Sequence, residues 1–382
     1  MTQDILLSED QRMIRDMARA FAQEKVAPEA AAWAKAGAVP AEILADMGAL
    51  GLMGMTVPEV FGGAGTDYVS YALALMEIAA GDGGLSTIMS VNNSPVCAAI
   101  LGAGTQDQKQ RFLTPLAKGL MIGCFCLTEP GAGSDAAALK AKAAKHGNGY
   151  ILSGTKQFIT SGRIAGAAII FAVTDPEAGK RGLSAFLVPT DTPGFTIGRI
   201  EDKLGQNSSD TAQIVLEDMV IPGDCLLGRE GEGYKLALMN LESGRIGIAA
   251  QAIGMAQAAL DYAIAYAQDR QSFGSAIIHH QAVGFRLAEM AAKLEAARAL
   301  VLTAARLKDA GAPCLTEACM AKLIASETAE AVCSAAIQTL GGYGYLSDYP
   351  VERIYRDVKV CQIYEGTSDV QKLVISRQLA AA

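Results

Sequence analysis

Histidine and charge are scarce in this 382-residue chain, and each shortage closes a class of function. The three histidines, His146 and the adjacent pair His279 and His280, have no zinc-ligand spacing. The eight cysteines stand singly among apolar neighbours; only Cys124 and Cys126 come close, and their one-residue gap fits neither a zinc knuckle nor a Cys-x-x-Cys redox pair. They read as buried thiols, and metal chemistry is set aside. Charged residues make up 19% against 51% hydrophobic, which suits a large, well-buried, oligomeric globule and not a disordered chain. With 32 basic residues against 40 acidic and a net charge of -8, no basic stripe exists to neutralise phosphates, so a nucleic-acid partner is excluded. Long apolar runs are also missing. The longest uncharged stretch, which takes in 85–106, contains Asn92, Asn93, Ser94 and Pro95, which a bilayer core would not accept, so no membrane span is expected. Asp4, Glu9 and Asp10 precede any long apolar run, unlike a signal or transit peptide, and a cytoplasmic protein is expected.

The length exceeds one ordinary hydrophobic core, so two or three domains are expected. Ser8 with Gln11 makes a capping box, and Ile14, Met17 and Phe21 continue one helical face until Pro28. The pattern repeats over 40–50, 68–80 and 106–116 between glycine-rich breaks, which makes residues 1–118 an N-terminal all-helical domain. From Gly119 the texture changes to short runs at 122–127, 150–153, 168–173, 183–188 and 213–216, with turn signals at Gly147-Asn148-Gly149 and Thr192-Pro193-Gly194. Residues 119–232 are therefore a β domain. In 233–382, Val283, Leu287, Met290, Leu294, Ala297, Val301 and Ala304 alternate steps of four and three, the seam of a helix in a bundle. Glu289 and Lys293 pair on its outer side. The uncharged stretch 246–260 should be buried on most sides.

Three motifs carry the functional question. Glu365 is followed at once by Gly366 and Thr367, so its backbone can approach a ligand while its carboxylate acts as a base. Val370, Leu373, Val374 and Leu379 at near-helical spacing place it on a loop before a C-terminal helix; the plainer reading is an acidic residue favoured by a helix N-terminus. Gly131-Ala132-Gly133-Ser134-Asp135-Ala136 matches a dinucleotide fingerprint, yet 139–143 alternates apolar with basic as a strand does, and no acidic residue follows to hold a ribose. A turn aiming backbone N–H groups at a phosphate remains open. The cluster 338–345, Q-T-L-G-G-Y-G-Y, ends a helix, and spacing does not separate a C-cap from a binding turn.

Six ordered blocks make the chain resemble the acyl-CoA dehydrogenase family, and within it the short-chain, butyryl-CoA type: C-F-C-L-T-E-P-G-A-G-S-D at 124–135, K-Q-F-I-T-S-G at 156–162, L-E-S-G-R-I-G-I-A at 241–249, D-R-Q-S-F-G at 269–274, Q-T-L-G-G-Y-G-Y at 338–345 and I-Y-E-G-T-S at 363–368. The resemblance implies an α+β fold: an N-terminal helical domain, a middle β-barrel or sandwich, and a C-terminal four-helix bundle. It implies FAD as cofactor, a homo-oligomer that is most often a tetramer, and electrons passed to an electron-transferring flavoprotein. Glu365 matches the base that takes the α proton of an acyl-CoA thioester while the β hydrogen leaves as hydride to the flavin. The backbone N–H of Glu365 and a ribityl hydroxyl of FAD would polarise the thioester carbonyl.

Phe125, Leu127, Thr128, Gly133, Ser134, Phe158, Ile159 and Thr160 match segments that hold the flavin ring. Arg270, Phe273, Gln281, Gln338, Gly341 and Gly342 match residues reaching the FAD of a neighbouring subunit, and Thr367, Ser368 and Asp369 match contacts on the chain's own cofactor. Ser134, Glu242, Ser243, Gly244, Arg245 and Gly366 match the CoA side, with Arg245 expected at the nucleotide end. Two positions depart from the pattern: Phe158 stands where Trp is common, and Asn207 where Arg is frequent. Gly244 occupies the position at which the isovaleryl and long-chain branches carry their base, consistent with a base at Glu365. A short substrate without a second carboxylate is implied too, since Ser86 aligns with the Arg that binds the distal carboxylate in the glutaryl-CoA branch. Two other functions share this architecture. A flavin monooxygenase or oxidase would usually lack the base, and a non-catalytic CoA-binding homologue would not need intact flavin blocks.

Overall fold

A computed structural model describes residues 3–381. The first long helix, Glu9–Phe21, is capped as its spacing demands: Gln11 N–H donates to Ser8 Oγ and Ser8 N–H to Gln11 Oε1, each at 3.1 Å. A wider turn, Ala22–Val26, carries the chain on to Pro28. Further helices span Ala41–Ala49 and Tyr68–Gly81. The uncharged stretch is helical as well, Gly83–Val91 running on into Asn92–Cys97 and Ala98–Ala103. Its two asparagines are buried because they staple backbone. Asn92 donates to the Met53 and Leu116 carbonyls and accepts from Gly123 N–H; Asn93 ties Leu52, Met55 and Met89.

The middle of the chain forms one sheet from β1 (Gly123–Cys126), β2 (Lys142–His146), β3 (Gly149–Thr160), β4 (Ala167–Val173), β5 (Leu183–Pro189), β6 (Phe195–Ile200), β7 (Thr211–Pro222) and β8 (Leu226–Leu227). The order is β6-β7-β3-β2-β4-β5-β8, with β1 parallel to β4. Burial on both faces accounts for the unbroken apolar run of β4. Ala168, Ile170 and Ala172 face a core shared with Leu152, Ile214 and Met219, while Ile169 and Phe171 pack with Ile100, Phe112 and Leu116 of the helices. β3 and β7 extend well beyond the runs expected at 150–153 and 213–216. Register shifts interrupt the β3–β7 ladder, and Asp218 takes a φ of 46°, so the alternation is broken where the strands continue. Edge strand β6 was not expected from its pattern, since Gly198 and Arg199 lie within it. The alternation over 139–143 exists in burial, but pairing starts only at Lys142. Before it, the N–H groups of Lys140 and Ala141 donate to the Glu129 carboxylate at 2.7 and 3.0 Å.

Helices Gly233–Asp269, Gln281–Asp309 and Leu315–Leu340 pack together, and Ser368–Ala381 lies against the last of them. Leu287, Met290, Leu294, Ala297, Val301 and Ala304 are buried along the seam, while Glu289 and Lys293 pair outside it at 2.6 Å. Small residues bring the first of these helices close to Tyr68–Gly81: a Cβ on Gly254 would meet the Met76 carbonyl oxygen at 2.0 Å. The early and late helices therefore share one core, from Leu7 through Tyr71 and Ile248 to Cys361, despite lying at opposite ends of the chain. The C-terminal helix departs from its expected apolar face. Leu373 and Leu379 are exposed, and the polar Gln371 is the buried residue. All cysteines are free thiols, buried except for the half-buried Cys225.

Candidate active site

Glu365 lies between the turn Lys359–Gln362 and the helix Ser368–Ala381, with φ of +55°, followed by Gly366 at +87°. A glycine accepts this left-handed conformation; a glutamate must be held in it. The holding groups come from two helices. Gln371 Nε2 donates to the carbonyls of Glu365 and Gly366 at 3.2 and 2.9 Å, and Lys322 Nζ donates to the Gly366 carbonyl at 2.7 Å. With those carbonyls fixed, the Glu365 N–H has no acceptor among the described residues.

The carboxylate is directed at Gly244. A Cβ there would come within 2.3 Å of Glu365 Oε2, so a side chain at 244 and the side chain of Glu365 address the same space. Oε2 is buried and has no hydrogen-bond partner among the described residues, although the residue as a whole is half-buried. Burial raises the carboxyl from 4.5 to about 7, against the opposing pull of Arg245 and then Lys322. Such a group is poised to exchange a proton near neutral pH. The buried Tyr71 phenol, hydrogen-bonded to Ser90 Oγ at 3.4 Å, is raised by burial and stays protonated beside it.

Tyr364 anchors the loop from behind. Its hydroxyl donates to Gln251 Oε1 and accepts from Gln206 Nε2 at 3.3 Å. Gln251 in turn donates to Gly83 O, Ser86 Oγ and Thr87 Oγ1, and Thr87 donates to Gln206 Oε1 at 2.6 Å. The sheet domain and both groups of helices thus meet under the loop that carries Glu365.

The four residues 242–245 follow one another on the Gly233–Asp269 helix and so face different neighbours. Glu242 pairs with Lys308 at 3.1 Å and accepts from Cys314 Sγ at 3.5 Å. Ser243 Oγ donates to Asn240 O and accepts from Ser94 Oγ, each at 3.2 Å. Arg245, expected at the nucleotide end of CoA, is buried beside the Glu365 carboxylate, 6% exposed, with Nε unpartnered among the described residues.

The segments 125–134 and 156–160 lie side by side, joined by Gln157 N–H donating to the Thr128 carbonyl at 2.9 Å. Beneath them Lys156 Nζ meets Glu129 Oε1 at 2.8 Å in a buried ion pair that also reaches Leu127 O. Ile159 is buried; Phe125, Leu127, Thr128 and Thr160 are half-buried; Gly133 and Ser134 are exposed. Phe158 is turned outward by its φ of +59°, an exposed aromatic ring on the rim. Thr367 Oγ1 accepts from Val370 N–H, Ser368 Oγ is buried without a partner, and Asp369 is exposed.

Arg270, Gly341 and Gly342 are brought together elsewhere, around a pocket of about 520 Å³ also lined by Thr339 and Tyr343. The Arg270 guanidinium sits 5.6 Å from the Tyr343 ring centre. Gln281 and Gln338 are exposed nearby in sequence, and Phe273 is fully exposed. Gly341 ends its helix at a φ of +62°, so the cap residue is also part of the pocket wall. These surroundings fit FAD: Gly131, Gly133, Gly341 and Gly342 have nothing within 4 Å of an added Cβ, and Ser161 Oγ and Ser368 Oγ are buried polar atoms without partners. Among the described residues no cluster of acidic, histidine or cysteine side chains could hold a metal ion, and no helix is long and apolar enough to cross a membrane.

Sequence reasoning missed Lys322, Tyr71 and the Glu129–Lys156 pair. A signal existed for Lys322. It is a single charge on the stripe Ala318, Ala321, Ala325, Ala329 of its helix, all buried.

Family models for the acyl-CoA dehydrogenase N-terminal, middle and C-terminal domains match residues 8–120, 124–219 and 231–380. The chain is 49% identical to a bovine protein named short-chain specific acyl-CoA dehydrogenase, mitochondrial, over 99% of this chain and 92% of that one. It superposes on butyryl-CoA dehydrogenase from Megasphaera elsdenii with a TM-score of 0.95 at 41% identity, covering 98% and 99% of the two chains. A glutaryl-CoA dehydrogenase from Mycobacterium smegmatis, solved in complex with FADH2, matches with a TM-score of 0.95 at 36% identity over 99% and 96%.

Proposed function

The chain belongs to the acyl-CoA dehydrogenase family, and on that premise we propose that it oxidises a short, uncharged acyl-CoA to the trans-2-enoyl-CoA with FAD and Glu365. The observation that carries this reading is the Glu365 carboxylate, buried, with Oε2 unpartnered and the group raised to about 7. Glu365 takes the α proton on its carboxylate, while its backbone N–H, without an acceptor among the described residues, donates to the thioester carbonyl and favours enolate character. FAD, when bound, supplies the acceptor for the β hydrogen as hydride. Phe125, Leu127, Thr128, Gly133, Ser134, Phe158, Ile159 and Thr160 would hold it, with Thr367, Ser368 and Asp369.

Arg270, Phe273, Gln281, Gln338, Gly341 and Gly342 would reach the cofactor of a second copy, which makes the working form a homo-oligomer, most simply a tetramer. Three of them, Arg270, Gly341 and Gly342, line one pocket that none of residues 125–134 lines, which supports that division. An electron-transferring flavoprotein is the electron acceptor this reading expects. On the substrate side, Ser134, Gly244 and Gly366 would contact CoA, Glu242 would be held by Lys308 and Ser243 by its own hydrogen bonds, and Arg245 would stand at the reacting end.

The acyl chain is uncharged because of what surrounds Ser86, and short after the short-chain and butyryl-CoA relatives. Its hydroxyl donates to Gly83 O and accepts from Gln251 Nε2 at 2.7 Å, among the buried Leu85, Ile88 and Met89. The cation of this region, Arg353, is taken by Asp82 and Asp357 at 3.3 and 3.7 Å. A second substrate carboxylate would be left unpaired, costing several kcal/mol, or roughly a hundredfold or more in binding. The test is anaerobic flavin reduction with butyryl-, isobutyryl-, hexanoyl- and glutaryl-CoA. Butyryl-CoA should lead, and glutaryl-CoA reducing the flavin as fast would refute the assignment of the pocket. Flavin reoxidation in air, measured on the same samples, should be slow; fast reoxidation would point to an oxidase.

A further inference from the structure

Lys322 is a lysine with no exposed surface and one protein hydrogen bond among the described residues, to the Gly366 carbonyl at 2.7 Å. An ammonium carries three donors, and burying it with one satisfied is costly; a methionine would fill this apolar stripe at less expense in stability. Its bond reaches the residue after the base, where two successive left-handed residues must be held in place. Gln371 binds the same carbonyl from the C-terminal helix, so the turn is gripped from two sides.

We propose that Lys322 is a positioning residue for the base: its ammonium clamps the Gly366 carbonyl, fixes the Glu365–Gly366 turn, and places a buried positive charge beside the Glu365 carboxylate. The inference rests on Glu365 being the base. Charge and geometry agree in direction. The groups facing Lys322 are Cys361 and Cys319, Arg245 of the Gly233–Asp269 helix, and Glu365 itself; those facing Glu365 are Arg245, Lys322 and the Tyr71 phenol. Arg245 and Lys322 are the two cations, and both favour the ionised base. Burial lowers Lys322 to about 8, with Glu365 and Cys361 resisting and Arg245 assisting, so it is largely charged at neutral pH. Loss of that charge leaves Glu365 more often protonated and unable to accept a proton.

The test compares Lys322→Met and Lys322→Arg with wild type by the pH dependence of flavin reduction with butyryl-CoA, and by infrared titration of the Glu365 carboxyl, assigned through its loss in Glu365→Gln. In Lys322→Met the midpoint should rise by roughly one unit, making reduction about fivefold slower near pH 7 and largely recovered above pH 9. Lys322→Arg should keep the wild-type midpoint. An unmoved midpoint in a flavin-loaded Lys322→Met protein would overturn the proposal, as would an equal rise in Lys322→Arg. Coupling between two titrating groups is reciprocal, so a second measurement needs no change at 322. NMR of 13Cε-lysine in Glu365→Gln should show the Lys322 midpoint below that of wild type, and an identical midpoint would refute the coupling. Absence of flavin reduction by any acyl-CoA in wild type would count against the proposed function alone, since both titrations read the pair without turnover.

Discussion

The carboxylate of Glu365 rests on the α-carbon of Gly244, so closely that a Cβ at 244 would stand 2.3 Å from Oε2. The atom in the way is the free end of a flexible side chain, so the fold can accept a methyl group there while the carboxylate cannot stay where it is. Gly244→Ala should fold and load flavin normally yet reduce it about a hundredfold more slowly, the usual cost of misplacing a reacting group by an ångström. Stopped-flow reduction with butyryl-CoA decides this, and a rate within a factor of three of wild type would sink the contact.

The pH dependence of stability follows from the same carboxyl. Its folded value, about 7, lies above its ordinary 4.5, so the folded chain holds an extra proton between those limits. That stabilisation is complete below about 4.5 and lost as pH rises through about 7. Glu365→Gln carries no such penalty. It should melt higher than wild type at pH 8, by up to about 3 kcal/mol, and match it near pH 4. Thermal melts at both pH values check the sign; a variant less stable than wild type at pH 8 would contradict it.

Beneath the expected flavin segments, Lys156 and Glu129 form an ion pair almost closed to solvent. Glu129 also fixes the N–H groups of Lys140 and Ala141. Lys156→Met would leave a buried carboxylate without its cation, at about 3–5 kcal/mol, and loosen 125–134 against 156–160. Glu129→Gln combined with Lys156→Met should recover part of the loss. Chemical denaturation and flavin content measure both effects, and wild-type stability in the single variant would exclude a structural role for the pair.

Arg270 stacks on Tyr343, and no carboxylate among the described residues pairs with it. On the proposed reading it binds the cofactor of a second copy. Arg270→Ala should lose flavin on gel filtration while wild type keeps it, because a charge-assisted bond is removed. Full flavin retention in Arg270→Ala would show that this face has another purpose.

Much of this arrangement was legible in the residues, and the limits have physical causes. The Ser8–Gln11 cap, the seam from Leu287 to Ala304 and the loop position of Glu365 are local patterns, and the structure has them. β6 was not legible because an exposed edge strand need not alternate, and β3 and β7 were cut short where bulges interrupt their period. Burial depth was the larger gap. Arg245 and Lys322 are long cations, a residue type that mostly lies at the surface; the alanine stripe signals burial for Lys322, but only the packing of the Gly233–Asp269 and Leu315–Leu340 helices puts both beside Glu365. Gln371 escaped notice for the same reason: its value is in two carbonyls that lie together only once Gly366 turns left-handed.

The central claim is that Glu365 takes the α proton, and one variant tests it. Glu365→Gln keeps the size and polarity of the side chain but cannot accept a proton at neutral pH. It should be isolated with flavin, bind butyryl-CoA, and on anaerobic mixing reduce its flavin at least about a thousandfold more slowly than wild type. Flavin reduction within tenfold of the wild-type rate would contradict the assignment and move the base elsewhere.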